Sequence, residues 1–171
     1  MKDITEVIDE VRLSESILSK KPGIYGTRTD KTEFPKNRSE LTFLIGLEIE
    51  KHGNLCSLNH IDVSGIEDFS DLFNGGHDFG NFNGDISGWD MSNAVNCTRM
   101  FYRSSYTGEN GDITSWNMDN VTHANQMFYM SKYNGDISTW ALPKLDKRNA
   151  VQFIGGAAIA KNRKNWPKKF R

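Results

Sequence analysis

The residues that could carry chemistry in this chain are few, and their spacing limits what each could do. His52, Cys56 and His60 are spaced four apart, and imidazole and thiolate are the ligands that zinc prefers. Gly53 and Asn54 interrupt any helix that would align the three side chains, and no fourth ligand is evident. We therefore interpret the spacing as coincidence and expect no metal and no other cofactor.

Nucleophilic catalysis and phosphoryl transfer also lack a motif. The sequence has no G-x-S-x-G elbow, no cysteine-centred signature and no G-x-x-x-x-G-K-[ST] loop. Cys97 falls in a column of an internal repeat that also holds Phe69 and Ala124, which indicates a small core residue. We predict that the chain is not an enzyme.

Two groups of residues have the composition of binding surfaces, and the first follows each Met-Phe pair of the repeat. Tyrosine and arginine recur there, as they do in protein interfaces. The predicted partner-binding residues are Tyr102, Arg103, Tyr106, Tyr129, Lys132 and Tyr133. The alternative is that one tyrosine column packs inside the molecule while the other is merely exposed.

The second group is the basic C-terminal tail, because residues 161–171 hold six bases and no acid. The bases considered for phosphate binding are Arg163, Lys164, Lys168, Lys169 and Arg171. Trp166 and Phe170 would stack on nucleic-acid bases. The alternative is that the tail is solvated or lies along the acidic repeat body, since residues 54–149 carry a net charge of −6.

An internal repeat must position these surfaces. The motif N-G-D-I-[ST]-x-W occurs three times, at spacings of 27 and 24 residues between its tryptophans. Those tryptophans are Trp89, Trp116 and Trp140. An earlier, worn copy places Leu58 at the isoleucine position and Ile61 at the tryptophan position, which gives about four coils. One such unit cannot bury its own apolar residues, so the units are expected to stack into a continuous core.

Within each unit, the spacing predicts a strand, a turn and a helical turn. Residues 86–91 alternate loosely between apolar and polar, which favours a short strand. Asn93 and Asn120 stand where a helix N-cap would. Residues 94–101 and 121–128 then carry apolar side chains at helical spacing.

The repeated aspartates Asp85, Asp112 and Asp136 would lie about 4.8 Å apart in stacked units and would repel one another unless each has donors. We expect each to accept hydrogen bonds from backbone N–H groups of its own turn. The alternative is a bound cation such as calcium, but the repeat offers too few further oxygen ligands at fixed spacing.

The pattern F-N-G-D-I-S-x-W-D-M-S-N-x-x-N-x-x-x-M-F, which begins at Phe82, resembles the BspA-type leucine-rich-repeat-like family of bacterial and mycoplasma surface proteins and lipoproteins. The resemblance covers about residues 39–152. It implies an α/β solenoid and a role in adhesion or protein interaction. We therefore predict an α/β fold, a right-handed solenoid of about four short strand–turn–helix coils with helical caps.

The chain divides into four predicted parts. Residues 1–38 form an N-terminal helix and a basic connector, and the helix either packs on the body or binds a partner. Residues 39–53 form a capping helix that Asn37 or Ser39 can N-cap and that Gly53 ends. Residues 54–153 form the repeat solenoid, and residues 154–171 form a C-terminal cap and basic tail.

The N-terminal residues indicate where the chain resides. They carry acids where a signal peptide needs bases, and no apolar run is long enough to span a bilayer. We predict a cytoplasmic location without membrane association, and a non-catalytic protein–protein interaction module, such as an intracellular adaptor or an inhibitor of a host or phage protein. The alternative function is a nucleic-acid-associated protein that uses the basic tail.

Overall fold

The structure, a computed structural model, describes residues 31–171, so the helix predicted near the N-terminus lies outside the described residues. One α-helix, α1, spans Arg38–His52. Four short 3₁₀-helices lie near the C-terminus, at Lys147–Asn149, Ala158–Lys161, Arg163–Asn165 and Lys168–Phe170. Residues 53–146 consist of turns and isolated parallel β-bridges.

The predicted fold class, an α/β solenoid of strand–turn–helix coils, is wrong. Residues 31–171 contain one α-helix and no sheet, only isolated bridges. The stretches predicted to be helical contain Arg99 and Gln126, whose φ angles are 54° and 55°. A right-handed helix cannot include residues in this left-handed region, so the apolar spacing that suggested a helix arises from successive turns.

Neighbouring repeat units are joined by backbone hydrogen bonds at every second residue, an arrangement that we call the ladder. Phe101 N donates to Met127 O at 2.8 Å, and Phe128 N donates to Phe153 O at 2.8 Å. The donors of the ladder are Phe69, Asp71, Phe73, Gly75, Cys97, Arg99, Phe101, Arg103, Ala124, Gln126, Phe128 and Met130. Because these N–H groups bond to the next unit, they are not available to the i→i−4 pattern of a helix.

Equivalent side chains of neighbouring units stack in columns. The rings of Trp89, Trp116 and Trp140 lie nearly parallel, with centroids 6.4 and 6.2 Å apart. Each indole N–H donates to a carbonyl of the preceding unit, as Trp116 Nε1 does to Ile86 O at 3.2 Å. A buried tryptophan needs such a partner, and here the partner also fixes the spacing of the units.

The asparagines predicted to cap helices have a different role. Asn93 Nδ2 donates to Ser64 O at 2.9 Å, and Asn120 Nδ2 donates to Ser92 O at 2.6 Å. Both bonds join one unit to the unit before it. The cap prediction is wrong because no helix follows either residue.

The interpretation of the repeated aspartates is confirmed. Asp85, Asp112 and Asp136 each accept a hydrogen bond from the backbone N–H two residues later, at 2.9, 2.8 and 2.8 Å. Such a bond gives a carboxylate a local donor and fixes the turn.

Helix α1 begins and ends where its sequence indicates. Asn37 Oδ1 accepts from Glu40 N at 3.0 Å and so satisfies a free N–H group of the first turn. Glu40 Oε2 accepts in return from Lys36 N, just before the cap, at 2.9 Å. Gly53 ends the helix with a φ of 79°. The buried face of α1 consists of Leu41, Leu44 and Ile45.

The side of the repeat that carries the tryptophan column, which we call the tryptophan side, pairs at both ends with a segment outside the repeat. Before the first unit, Asp62 N donates to Glu33 O at 2.8 Å. After the last unit, Ile137 N donates to Asn165 O at 3.0 Å. The N-terminal and C-terminal segments therefore each act as an added neighbour on that side.

Candidate functional site

Large side chains of the kind found in interfaces lie together at one corner of the ladder, which we call the tyrosine edge and define as Tyr102, Arg103, Tyr129 and Met130. The partly exposed rings of Tyr102 and Tyr129 stack with centroids 5.5 Å apart. The guanidinium carbon of Arg103 lies 5.3 Å from the centroid of the Tyr102 ring. Met130 is 49% exposed. Tyrosine, arginine and methionine are enriched in protein interfaces, so this corner has the composition of one.

The backbone holds the tyrosine edge in place. Arg103 N donates to Tyr129 O at 2.8 Å, and Met130 N donates to Gly155 O at 2.9 Å. Arg103 and Met130 have φ angles of 51° and 54°, a region that is unfavourable for residues with a β-carbon. The equivalent position in the last unit is Gly156, with a φ of 68°. Two large side chains thus occupy a backbone position that suits glycine.

Two of the predicted partner-binding residues lie in the core instead. Tyr106 and Tyr133 are 0% exposed, and their rings stack with centroids 6.0 Å apart. Tyr106 Oη donates to Gly111 O at 2.8 Å. Burial, and then nearby aspartates, raise the pKa of the Tyr106 phenol well above its ordinary range. Burial raises the pKa of the Tyr133 phenol in the same way, and Tyr106 and nearby aspartates raise it further. We therefore leave both tyrosines out of the tyrosine edge.

Lys132 lies at the surface two residues beyond Met130. Its backbone N donates to Ser104 O at 3.1 Å. Its ammonium group adds a positive charge at the surface, close to the tyrosine edge in sequence. Met130 was not singled out by sequence reasoning, although its alignment with Arg103 marks it as an equivalent position.

The predicted basic tail is folded into a cap on the last unit. Trp166 Nε1 donates to Ile159 O at 3.0 Å, and the Phe170 ring stacks on Phe153 with centroids 5.0 Å apart. The two aromatic rings expected to stack on bases are thus engaged in packing. Lys169 is partly buried, and its Nζ donates to Leu142 O at 2.9 Å. Of the bases considered for phosphate binding, those that remain exposed are Arg163, Lys164, Lys168 and Arg171.

An open cleft of about 600 Å³ lies between this cap and the last N-G-D-I motif. Its lining residues are Ser138, Thr139, Trp140, Ala141, Lys168 and Arg171. The cleft places two basic side chains beside two hydroxyl groups.

His52, Cys56 and His60, which are spaced four residues apart, lie near the carboxylate of Glu48. Glu48 Oε2 lies 3.8 Å from Nε2 of His52 and 3.8 Å from Nε2 of His60. Burial and then the Glu48 carboxylate raise the pKa of the Cys56 thiol. Within residues 31–171, no three histidine, cysteine or acidic side chains are grouped so that they could hold a metal ion.

Cys97 is a core residue, as its column predicts. It is fully buried, and burial raises the pKa of its thiol to about 12. A thiol that stays protonated and has no access to solvent does not act as a nucleophile.

A comparison with protein families matches residues 48–166 to the family described as "Mycoplasma protein of unknown function, DUF285". A search of curated proteins found no match, and neither did a search of solved structures. In the described part of the chain, no helix has the length and apolar character needed to cross a bilayer.

Proposed function

The chain belongs to the DUF285 family, whose description names no activity, and on that premise we propose that it is a non-catalytic protein–protein interaction module that binds its partner through the tyrosine edge. In this proposal, the module acts as an adaptor or as an inhibitor of another protein. The observation that carries the proposal is the stacked pair Tyr102 and Tyr129 with Arg103 beside it.

The tyrosine edge has the properties of an interface centre. Tyrosine and arginine are enriched among the residues whose truncation costs most in binding. The ladder on both sides of the edge fixes its backbone before any partner arrives, which lowers the entropy cost of association.

The test compares capture of proteins from the native host by three forms of the full chain. They are the wild type, the Tyr102→Ala/Tyr129→Ala variant, and a control variant, Leu55→Ala, which truncates an apolar side chain that is 70% exposed outside the tyrosine edge. We expect a partner that the wild type and the control retain and that the tyrosine variant loses. Circular dichroism and thermal unfolding establish that all three forms are folded.

With the purified partner, Arg103→Ala should weaken binding by at least about tenfold, as expected for an interface centre. Arg103→Lys keeps the charge but loses the planar group that stacks on tyrosine, so it should also weaken binding. Equal retention by the wild type and the tyrosine variant would contradict the proposal.

Nucleic-acid association through the basic cap is the alternative proposal. The exposure of Arg163, Lys164, Lys168 and Arg171 supports it, and the packing of Trp166 and Phe170 weighs against base stacking. Salt-dependent retention on DNA or RNA that the Lys164→Ala/Lys168→Ala variant loses would favour it. Absence of retention at low salt would dismiss it.

A further inference from the structure

At both ends of the described repeat, the ladder stops with backbone groups that have no partner among residues 31–171. In the last unit, the N–H groups of Gln152, Ile154 and Gly156 donate to no group in residues 31–171. In the first unit, no group of the same range donates to the carbonyl oxygens of Asp68, Ser70 and Leu72. One end of the described repeat therefore offers donors and the other end offers acceptors, both at every second residue.

The two ends match in register. In each step of the ladder the N–H groups of one unit donate to the carbonyls of the next, as Gln126 N does to Val151 O at 2.8 Å. Continued by one more unit, Gln152 N would meet Ser70 O of a second copy, and Ile154 N would meet Leu72 O of that copy. The donors thus find acceptors at the spacing that the internal ladder already uses.

On the tryptophan side, by contrast, the backbone groups of both end units are hydrogen-bonded to segments outside the repeat. There, Glu33 O accepts from Asp62 N before the first unit, and Asn165 O accepts from Ile137 N after the last. Within the described residues the ladder side has no such closing segment. Val151 is 57% exposed, and Gln152 and Gly156 are also exposed.

The charges of the two ends are opposite. Glu67 and Asp68 are exposed at the first end, whereas Lys147 is exposed at the last end, where the cap of residues 161–171 holds six bases and no acid. Arg148 is paired with Asp146 at 2.9 Å and adds little. Within the ladder, Arg99 Nη2 already bonds to Asp71 Oδ2 of the neighbouring unit at 3.0 Å, so opposite charges are accommodated across a step.

We propose that copies of this chain associate head to tail, with the donor edge of the last unit of one copy pairing with the acceptor edge of the first unit of another. Such a contact is heterologous and leaves one free end on each side of a dimer, so association continues to longer assemblies. The Phe170 ring covers Phe153 at the last end, so the contact involves the ladder edge rather than the core. A contact limited to a few backbone hydrogen bonds and surface charges is weak, so the association depends on concentration.

Sedimentation velocity of the full chain, from about 10 μM to about 1 mM, tests association. The weight-average mass should rise above the 19.4 kDa of one chain as concentration rises, and it should fall back as salt is added, because screening weakens attraction between exposed charges. A mass that stays at one chain over the whole range would overturn the proposal.

Two variants at equivalent positions test the direction of the contact. Val151→Glu places an acid on the donor edge, where it meets the acidic end of another copy. Ser70→Lys places a base on the acceptor edge, where it meets the basic end. Each variant alone should stay monomeric at concentrations where the wild type associates, because like charges placed opposite one another repel.

An equimolar mixture of the two variants should associate again. Val151 of the Ser70→Lys variant then meets Ser70 of the Val151→Glu variant, and the introduced Glu and Lys face each other at the other contact. Ser115→Glu, at an exposed position in a middle unit, is the control and should associate like the wild type. Variants that associate like the wild type, or a mixture that stays monomeric, would overturn the proposal.

Discussion

Glu33 is an acidic residue in a setting that disfavours its charge. Its Oε2 atom is buried and accepts no hydrogen bond within the described residues. Burial raises the pKa of Glu33, His60 lowers it and Glu48 raises it, with a net increase over the ordinary value of 4.5. The folded state therefore binds the proton more tightly than the unfolded state, and stability from this group is lost as pH rises through the raised pKa.

Glu33→Gln should therefore stabilise the protein at pH 7, because the amide carries no charge for burial to disfavour. The gain should be less than about 1 kcal/mol, because the side chain is partly exposed and solvent screens its charge. The gain should vanish below about pH 4, where the carboxyl is protonated in both states. Urea unfolding at the two pH values measures it. Glu50→Gln, on the exposed part of α1, is the control and should change neither value. A stability loss at pH 7 would mean that Glu33 has a favourable partner.

The two cysteines should differ in reactivity. Cys97 is fully buried with a pKa raised to about 12, whereas Cys56 is only partly buried. A thiol reagent at pH 8 should therefore label Cys56 alone in the folded protein and both cysteines in denaturant. Glu48→Gln should speed labelling of Cys56, because it removes a carboxylate that holds the pKa of this thiol up. Mass spectrometry of the labelled peptides reads both results, and labelling of Cys97 in the folded state would contradict the packing described.

At the scale of one element, α1 depends on its N-cap. Asn37→Ala removes the acceptor of Glu40 N and should cost about 1 kcal/mol of unfolding free energy. Asn37→Asp keeps an acceptor and should cost much less. Urea unfolding compares the variants, and an equal loss for both would show that the cap does not act through this hydrogen bond.

Helix α1 could be predicted because its signals are local: a capping asparagine, an acid three residues on and a terminal glycine all lie within the helix and its flanks. The turns of the repeat units could not be predicted in this way, because their N–H groups bond to residues about 26 positions away along the chain. The i, i+3 spacing of residues 94–101 therefore suggested a helix, whereas Arg99 in the left-handed region makes these residues successive turns.

The candidate site was predicted in part for a related reason. Sequence alignment places Tyr102 and Tyr106 in two equally regular columns, so the repeat period cannot tell which column faces solvent. The structure separates them, because Tyr106 stacks on Phe101 with centroids 4.8 Å apart while Tyr102 stacks on Tyr129 at the surface. The repeated aspartates were interpreted correctly because their partners lie two residues away.

At the scale of the whole molecule, the ladder predicts how protection from hydrogen exchange varies. The amides of Phe101 and Phe128 are bonded within the ladder and lie in the middle units, so they should exchange only on extensive unfolding. The amides of Gln152 and Gly156 donate to no group of the described residues and should exchange at least about 100-fold faster in dilute solution. Exchange measured by NMR resolves the four amides.

The same measurement at high concentration distinguishes an open edge from an occupied one. If the donor edge of one copy pairs with the acceptor edge of another, exchange at Gln152 and Gly156 should slow as concentration rises, while the amide of Phe101 should stay unchanged because its acceptor lies within the same chain. In the Val151→Glu variant the two exposed amides should stay fast at every concentration, since the introduced acid faces the acidic end of the next copy. Slow exchange at Gln152 and Gly156 even in dilute solution would show that these N–H groups are bonded within one chain and that the ladder does not end there.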